Sequence, residues 1–315
     1  VMHLDERFSW HQRKKKVSLL GLGDVGSMLA IGLKLLGGDV IEQLGVFDIN
    51  EASKKRWEME LNQIDVCPTL RVKAIEADEL FDADVFVFCA SKFVPKVGEE
   101  GQDVRMVQYA SNAELIDLYA KKAIECDFKG IFAVVSDPVD LLCLKALASS
   151  TFNSVTGAYD SKGLLPEQVM GFGLGVMDAR AKYYSDLMQL KYRDTGRAFG
   201  PHGKDLVVSE NICDEDQTAS VALTQKVVHS NMDMRALGYK PFIAPALSSG
   251  ANAIVRLLSG DWHYSAQFFN GIYWGSKYRL QPFGIEMETP EISACLNQRI
   301  ESSFKTLEAT WASLI

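Results

Sequence analysis

The chain has 315 residues, a formal net charge of -8 and a hydrophobic share of 47%. That length suffices for two domains with sizeable cores, and the acidic balance argues against a general binder of nucleic acid or anionic membrane. No apolar stretch approaches the ~18–20 residues of a membrane span, and Val1–His11 has no secretory core, so a cytoplasmic protein is expected. Six cysteines (67, 89, 126, 143, 213, 295) are scattered without a C-x-x-C pair. They read as reduced thiols, with neither a disulfide frame nor a zinc site.

Lys16–Leu20 reads as a buried strand, and Gly21, Gly23 and Gly26 then fit G-x-G-x-x-G at the start of an amphipathic helix over 24–36. Leu44–Ile49 is a second strand containing Asp48, which lies 22 residues beyond Gly26. Asn50 caps a charged helix reaching about Ile64. Short strands follow at Val72–Glu76 and Ala83–Ala90, the latter fully apolar in pattern. Ser91–Asp103 reads as a loop, residues 104–126 as a long helix, Gly130–Ser136 as a strand and Val139–Ala148 as a helix. Strands alternating with helices imply a Rossmann-type, doubly wound parallel sheet over residues 1–165, the nucleotide-binding domain. Residues 166–315 read as an α+β substrate domain. It has a strand at Val169–Gly173, a helix over 177–190 and an extended piece at Arg197–Gly203. Helices at about 217–237 and 242–259 come next, then a β-ribbon (264–270 and 280–287, turning over 271–275) and a last helix from Pro290.

Each part of the glycine turn has a physical job. Gly21 permits the turn, Gly23 leaves room for a pyrophosphate and Gly26 lets helix and sheet approach. The helix start at Asp24 and Val25 offers free N–H groups to the phosphates. Asp48 accepts hydrogen bonds from ribose hydroxyls and repels a 2′-phosphate, which favours NAD over NADP.

Four blocks together resemble the lactate/malate dehydrogenase family over nearly the whole chain. They are Gly21–Gly26 with Asp48; Arg105 with Asn112; Val134-Val135-Ser136-Asp137-Pro138-Val139-Asp140; and Gly171–Arg180 with Gly200-Pro201-His202-Gly203. The resemblance implies hydride transfer between NAD and a small 2-hydroxy or 2-oxo acid, in a homodimer or homotetramer. It makes His202 the general acid/base, Arg180 the grip on the substrate carboxylate, Arg105 the polarising residue of a closing loop, and Asn112 a substrate contact. It adds Ala90 and Ser136 to the cofactor contacts.

Three departures stand out. The family has an acid three residues before the helix arginine, where this chain has Met177; Asp178 is adjacent but about 100° away around a helix. Asp137 replaces the family's asparagine, so either Asp137 or Asp178 is a candidate for the missing catalytic carboxylate. The position that selects the substrate tail falls on Glu99, which favours a cationic or amino-bearing tail unless Glu99 is merely solvated. The family's hydroxyl-bearing position near that tail holds Lys240 or Pro241. These departures favour altered substrate preference, with a catalytically impaired NAD-binding sensor or scaffold as the rival reading.

Overall fold

The computed structural model describes residues 10, 13–92, 104–153, 156–160 and 162–314. The first half alternates strictly. Its elements are β1 (Lys15–Leu20), α1 (Asp24–Leu36), β2 (Ile41–Phe47), α2 (Glu51–Asn62), β3 (Arg71–Ala74), β4 (Val85–Phe88), α3 (Val104–Glu125), β5 (Ile131–Val134) and α4 (Val139–Thr151). The second half supplies β6 (Val169–Gly171), α5 (Leu174–Leu187), α6 (Thr218–Ala236), α7 (Asn252–Ser259), β7 (His263–Phe269), β8 (Ile272–Gln281), β9 (Gly284–Met287) and α8 (Ala294–Ala312).

These strands form one nine-stranded sheet, ordered β9-β8-β7-β6-β5-β4-β1-β2-β3. The run from β6 to β3 is parallel, and β7 joins β6 antiparallel through Ala266 opposite Gly171. The α/β sheet expected over residues 1–165 is therefore present, and it continues without a break into strands of the second half. Period-2 burial explains how it is covered on both faces. Phe86 and Phe88 of β4 join a core with Ile116 of α3 and Leu142 of α4. Val85 and Val87 turn the other way, toward Leu29 and Leu33 of α1 and Leu257 of α7.

Asn50 caps α2 as expected, its side chain accepting from Ser53 N at 3.2 Å. Two elements differ from the sequence reading. Residues 242–259 are not one α-helix, because Pro245–Ala251 is a π-helical stretch that runs into α7. Its small residues let it press on α1: a Cβ on Gly250 would stand 2.5 Å from Leu29 Cδ1, and one on Gly32 2.5 Å from Ala251 Cβ. The expected ribbon is three strands with tight turns, since its first return strand starts at Ile272 and 280–287 falls on the end of β8 and on β9. Asn270 and Gly271 both have positive φ (47° and 91°), as a two-residue hairpin requires, and Gly275 lies inside β8. A Cβ there would be 2.1 Å from Gly200 O, so this glycine serves close packing rather than turning.

Candidate active site

The glycine turn sits where the strand order reverses, between β1 and its two parallel neighbours β4 and β2. Such a switch point opens a crevice at the carboxyl ends of the strands. Gly21 has φ +93°, and a Cβ on it would come within 2.9 Å of the Ala90 backbone. A Cβ on Gly26 would stand 1.8 Å from Gly21 O, so only glycine lets α1 start this close to the strand. Gly23 is different: its Cβ would point into open space. The turn thus leaves room above Gly23, beside the opening amides of Asp24, Val25 and Gly26, which have no acceptor within their own helix. Asp48 is fixed at the mouth, with Oδ2 accepting from Leu22 N at 2.8 Å and Oδ1 from Asn50 N at 3.0 Å. Each oxygen keeps a second lone pair for a ribose hydroxyl. This cradle fits a dinucleotide.

The ends of β4 and β5 are tied together beside it. Ser136 Oγ donates to Ala90 O at 2.8 Å. Asn112, buried on α3, donates through Nδ2 to Asp137 O at 2.9 Å; its Oδ1 accepts from Lys92 N at 3.1 Å and Ser91 Oγ at 3.2 Å. Asn112 therefore braces the corner that presents Asp137.

His202 reaches this corner from a turn that β8 holds up: Gly200 N donates to Gly275 O at 2.8 Å. Its ring lies against the backbone of Gly173, where a Cβ would meet Nδ1 at 2.4 Å. Nε2 of His202 contacts Asp137 Oδ1 directly. On the other side of the ring, Asp140 Oδ2 lies 3.9 Å from Nδ1. Arg180 is 8% exposed on α5; its Nη2 donates to Asn231 Oδ1 and its Nη1 faces Met177 Sδ at 3.8 Å. Burial pulls the Arg180 guanidinium below its ordinary pKa, while the charges of Tyr184 and Asp137 oppose that shift. Imidazole and two carboxylates thus meet at the sheet's carboxyl edge, with the buried Arg180 guanidinium near enough to feel the Asp137 charge.

Asp178 is not part of this group. Its carboxylate accepts from Tyr192 Oη at 3.0 Å and from Lys182 Nζ at 2.6 Å, and it lines a polar cavity of about 280 Å³ with His263 and Tyr264. The helical step past Met177 turns its carboxylate to these partners. Lys240 pairs with Asp24 Oδ2 at 2.8 Å beside the glycine turn. Arg105 lies in the first turn of α3 with its side chain outside the description, and Glu99 lies outside the described residues. Sequence reasoning missed Asn231 and gave no role to Asp140. The second had a signal, since Asp140 falls in the first turn of the helix that follows Asp137-Pro138, where an anion is favoured. Among the described residues no cluster suits a metal ion, and no helix is long and apolar enough to cross a membrane.

Residues 15–156 match the family described as lactate/malate dehydrogenase, NAD binding domain. L-lactate dehydrogenase 1 of Staphylococcus aureus (strain MRSA252) is 30% identical over 167 residues, covering 52% of this chain and 47% of the relative. The chain thus spans about half the length of the curated relatives it matches. Likeness in fold runs further. A minor L-lactate dehydrogenase from Enterococcus mundtii, in ligands-bound form, superposes with a TM-score of 0.76 at 19% identity, over 96% of this chain and 99% of that one. Malate dehydrogenase from Archaeoglobus fulgidus in complex with NADH gives 0.77 at 18% identity, over 95% and 99%. The cofactor of the glycine turn is NAD, and residues 15–156, which carry that turn, form an NAD-binding domain of the lactate/malate dehydrogenase type.

Proposed function

We propose that the protein is an NAD-dependent oxidoreductase acting on a small 2-hydroxy or 2-oxo acid other than plain lactate or malate. The observation that carries this reading is the contact of His202 Nε2 with Asp137 beside the NAD cradle, with the buried Arg180 near enough to feel the Asp137 charge. Bound NAD supplies the hydride acceptor or donor. The chain's residues do the rest. Arg180 offers two parallel N–H groups to the acid's carboxylate from a nearly dry site, where the contact is strong. His202 exchanges the hydroxyl proton through Nε2, the nitrogen now on Asp137. Asp137 is 54% exposed, and the substrate's oxygen takes its place on Nε2. Its charge beside the reacting end discourages a second substrate carboxylate and favours a neutral or cationic tail.

The rival reading, a sensor or scaffold with weak catalysis, draws on the same contact, because a carboxylate on Nε2 competes with substrate. NADH oxidation with a panel of 2-oxo acids bearing apolar, anionic and amino tails separates the two. Turnover that His202→Asn lowers by about 10²–10⁴-fold is expected. No turnover with any member of the panel, NADH binding being intact, would leave the sensor reading in its place.

A further inference from the structure

We infer that Asp140 is the carboxylate that supports His202, in the role that Met177 cannot fill; this rests on the function proposed above. Met177 is buried among Leu174, Val176, Ala181 and Tyr192 and has no charge to give. Asp178 is committed to Tyr192 and Lys182. Asp140 is 2% exposed and is the second residue of α4, where a helix start favours an anion. Its Oδ2 stands 3.9 Å from Nδ1, the ring nitrogen opposite the one on Asp137. That distance is an ion-pair contact rather than a hydrogen bond, so it acts chiefly when the ring becomes an imidazolium. Gly173 presses on the ring and fixes which nitrogen faces which acid.

Two roles follow from the two carboxylates. Asp137 is half exposed and lies on the nitrogen that exchanges protons, so it yields to substrate. Asp140 is buried and stays, balancing the imidazolium charge through turnover. It touches no reacting atom and is a positioning residue. Among the described residues, the charged groups facing the ring are Asp137 and Asp140 from the β5–α4 corner, with Arg180 of α5 within electrostatic reach of Asp137. Asn112 of α3 is neutral and bonds the Asp137 carbonyl.

The test is an NMR titration of the His202 ring in the cofactor-free protein, assigned with His202→Asn. Asp140→Asn is expected to lower the His202 midpoint by about one pH unit or more. The acidic limb of kcat/KM should move down with it, and kcat should fall while KM for the acid changes less than about threefold. Asp140→Ser, suited to a helix start, is the second variant should the amide not be tolerated. An unmoved midpoint in a folded variant overturns the proposal. A moved midpoint without turnover on any 2-oxo acid keeps Asp140 in its role and removes only the proposed activity.

Discussion

Asp48 Oδ2 accepts a 2.8 Å hydrogen bond from the amide of Leu22, so the end of β2 is tied to the glycine turn of β1. The carboxylate is held by the protein before any nucleotide arrives, and no rotamer has to be frozen on binding. Asp48→Ser is expected to weaken NADH binding by about 10- to 100-fold, the scale of a lost charged hydrogen bond. It should also narrow the preference for NADH over NADPH, because the charge that repels a 2′-phosphate is gone. Fluorescence titration with both nucleotides checks this; an unchanged preference would remove Asp48 from ribose recognition.

Gly23 and Gly26 should respond differently to the same methyl group. In Gly26→Ala the new carbon meets Gly21 O, so α1 must shift, at a cost of about 1–3 kcal/mol. Thermal stability and NADH affinity should fall together. In Gly23→Ala the carbon enters open space, so the melting temperature should hold while NADH affinity drops. Calorimetry and NADH titration on the two variants distinguish a turn that packs from a turn that binds.

Installing the family's acid should not improve this site. Met177→Asp places a carboxylate in an apolar cluster, at a cost of about 1–3 kcal/mol, and offers Arg180 a partner within its own helix. Arg180 then grips substrate less well, so KM for the acid should rise while kcat does not. Steady-state kinetics decide it. A tenfold or larger gain in kcat would mark the site as a degraded one instead.

Acid stability should depend on a histidine given no part in the proposed chemistry. Burial holds the imidazole of His263 down to about 4, against an ordinary value of 6.5. The unfolded chain takes up this proton as pH falls through 6.5, while the folded chain refuses it until about 4. The stability present above pH 6.5 is therefore lost progressively down to about pH 4, by up to about 3 kcal/mol. His263→Phe keeps a ring beside Phe172 and should flatten this part of the curve. Urea midpoints at pH 7 and pH 4.5 give the difference; equal slopes in both proteins would assign the acid loss to carboxylates.

The cradle was legible because its information is local. Three glycines, a helix start and Asp48 lie within 28 residues, and each residue type has one physical reason to be there. His202 and Arg180 were legible only through resemblance, since a histidine between glycines is also an ordinary turn. What escaped was the relation between side chains. The step of about 100° that turns Asp178 away from the Met177 position was legible, but its destination, Tyr192, was not. Asp140 and His202 are 62 positions apart, and their approach depends on Gly173 lacking a side chain. Gly275 misled for a related reason: a glycine that admits a neighbouring backbone looks, in one dimension, like a glycine that turns.

The sheet that runs unbroken from β3 to β9 bears on how a substrate gets in. Two lobes joined by a hinge open like jaws, but halves stitched by a shared ladder at Ala266 and Gly171 move as one plate. The imidazole and guanidinium are carried by turns and helices packed on that plate, so their spacing holds as substrate comes and goes.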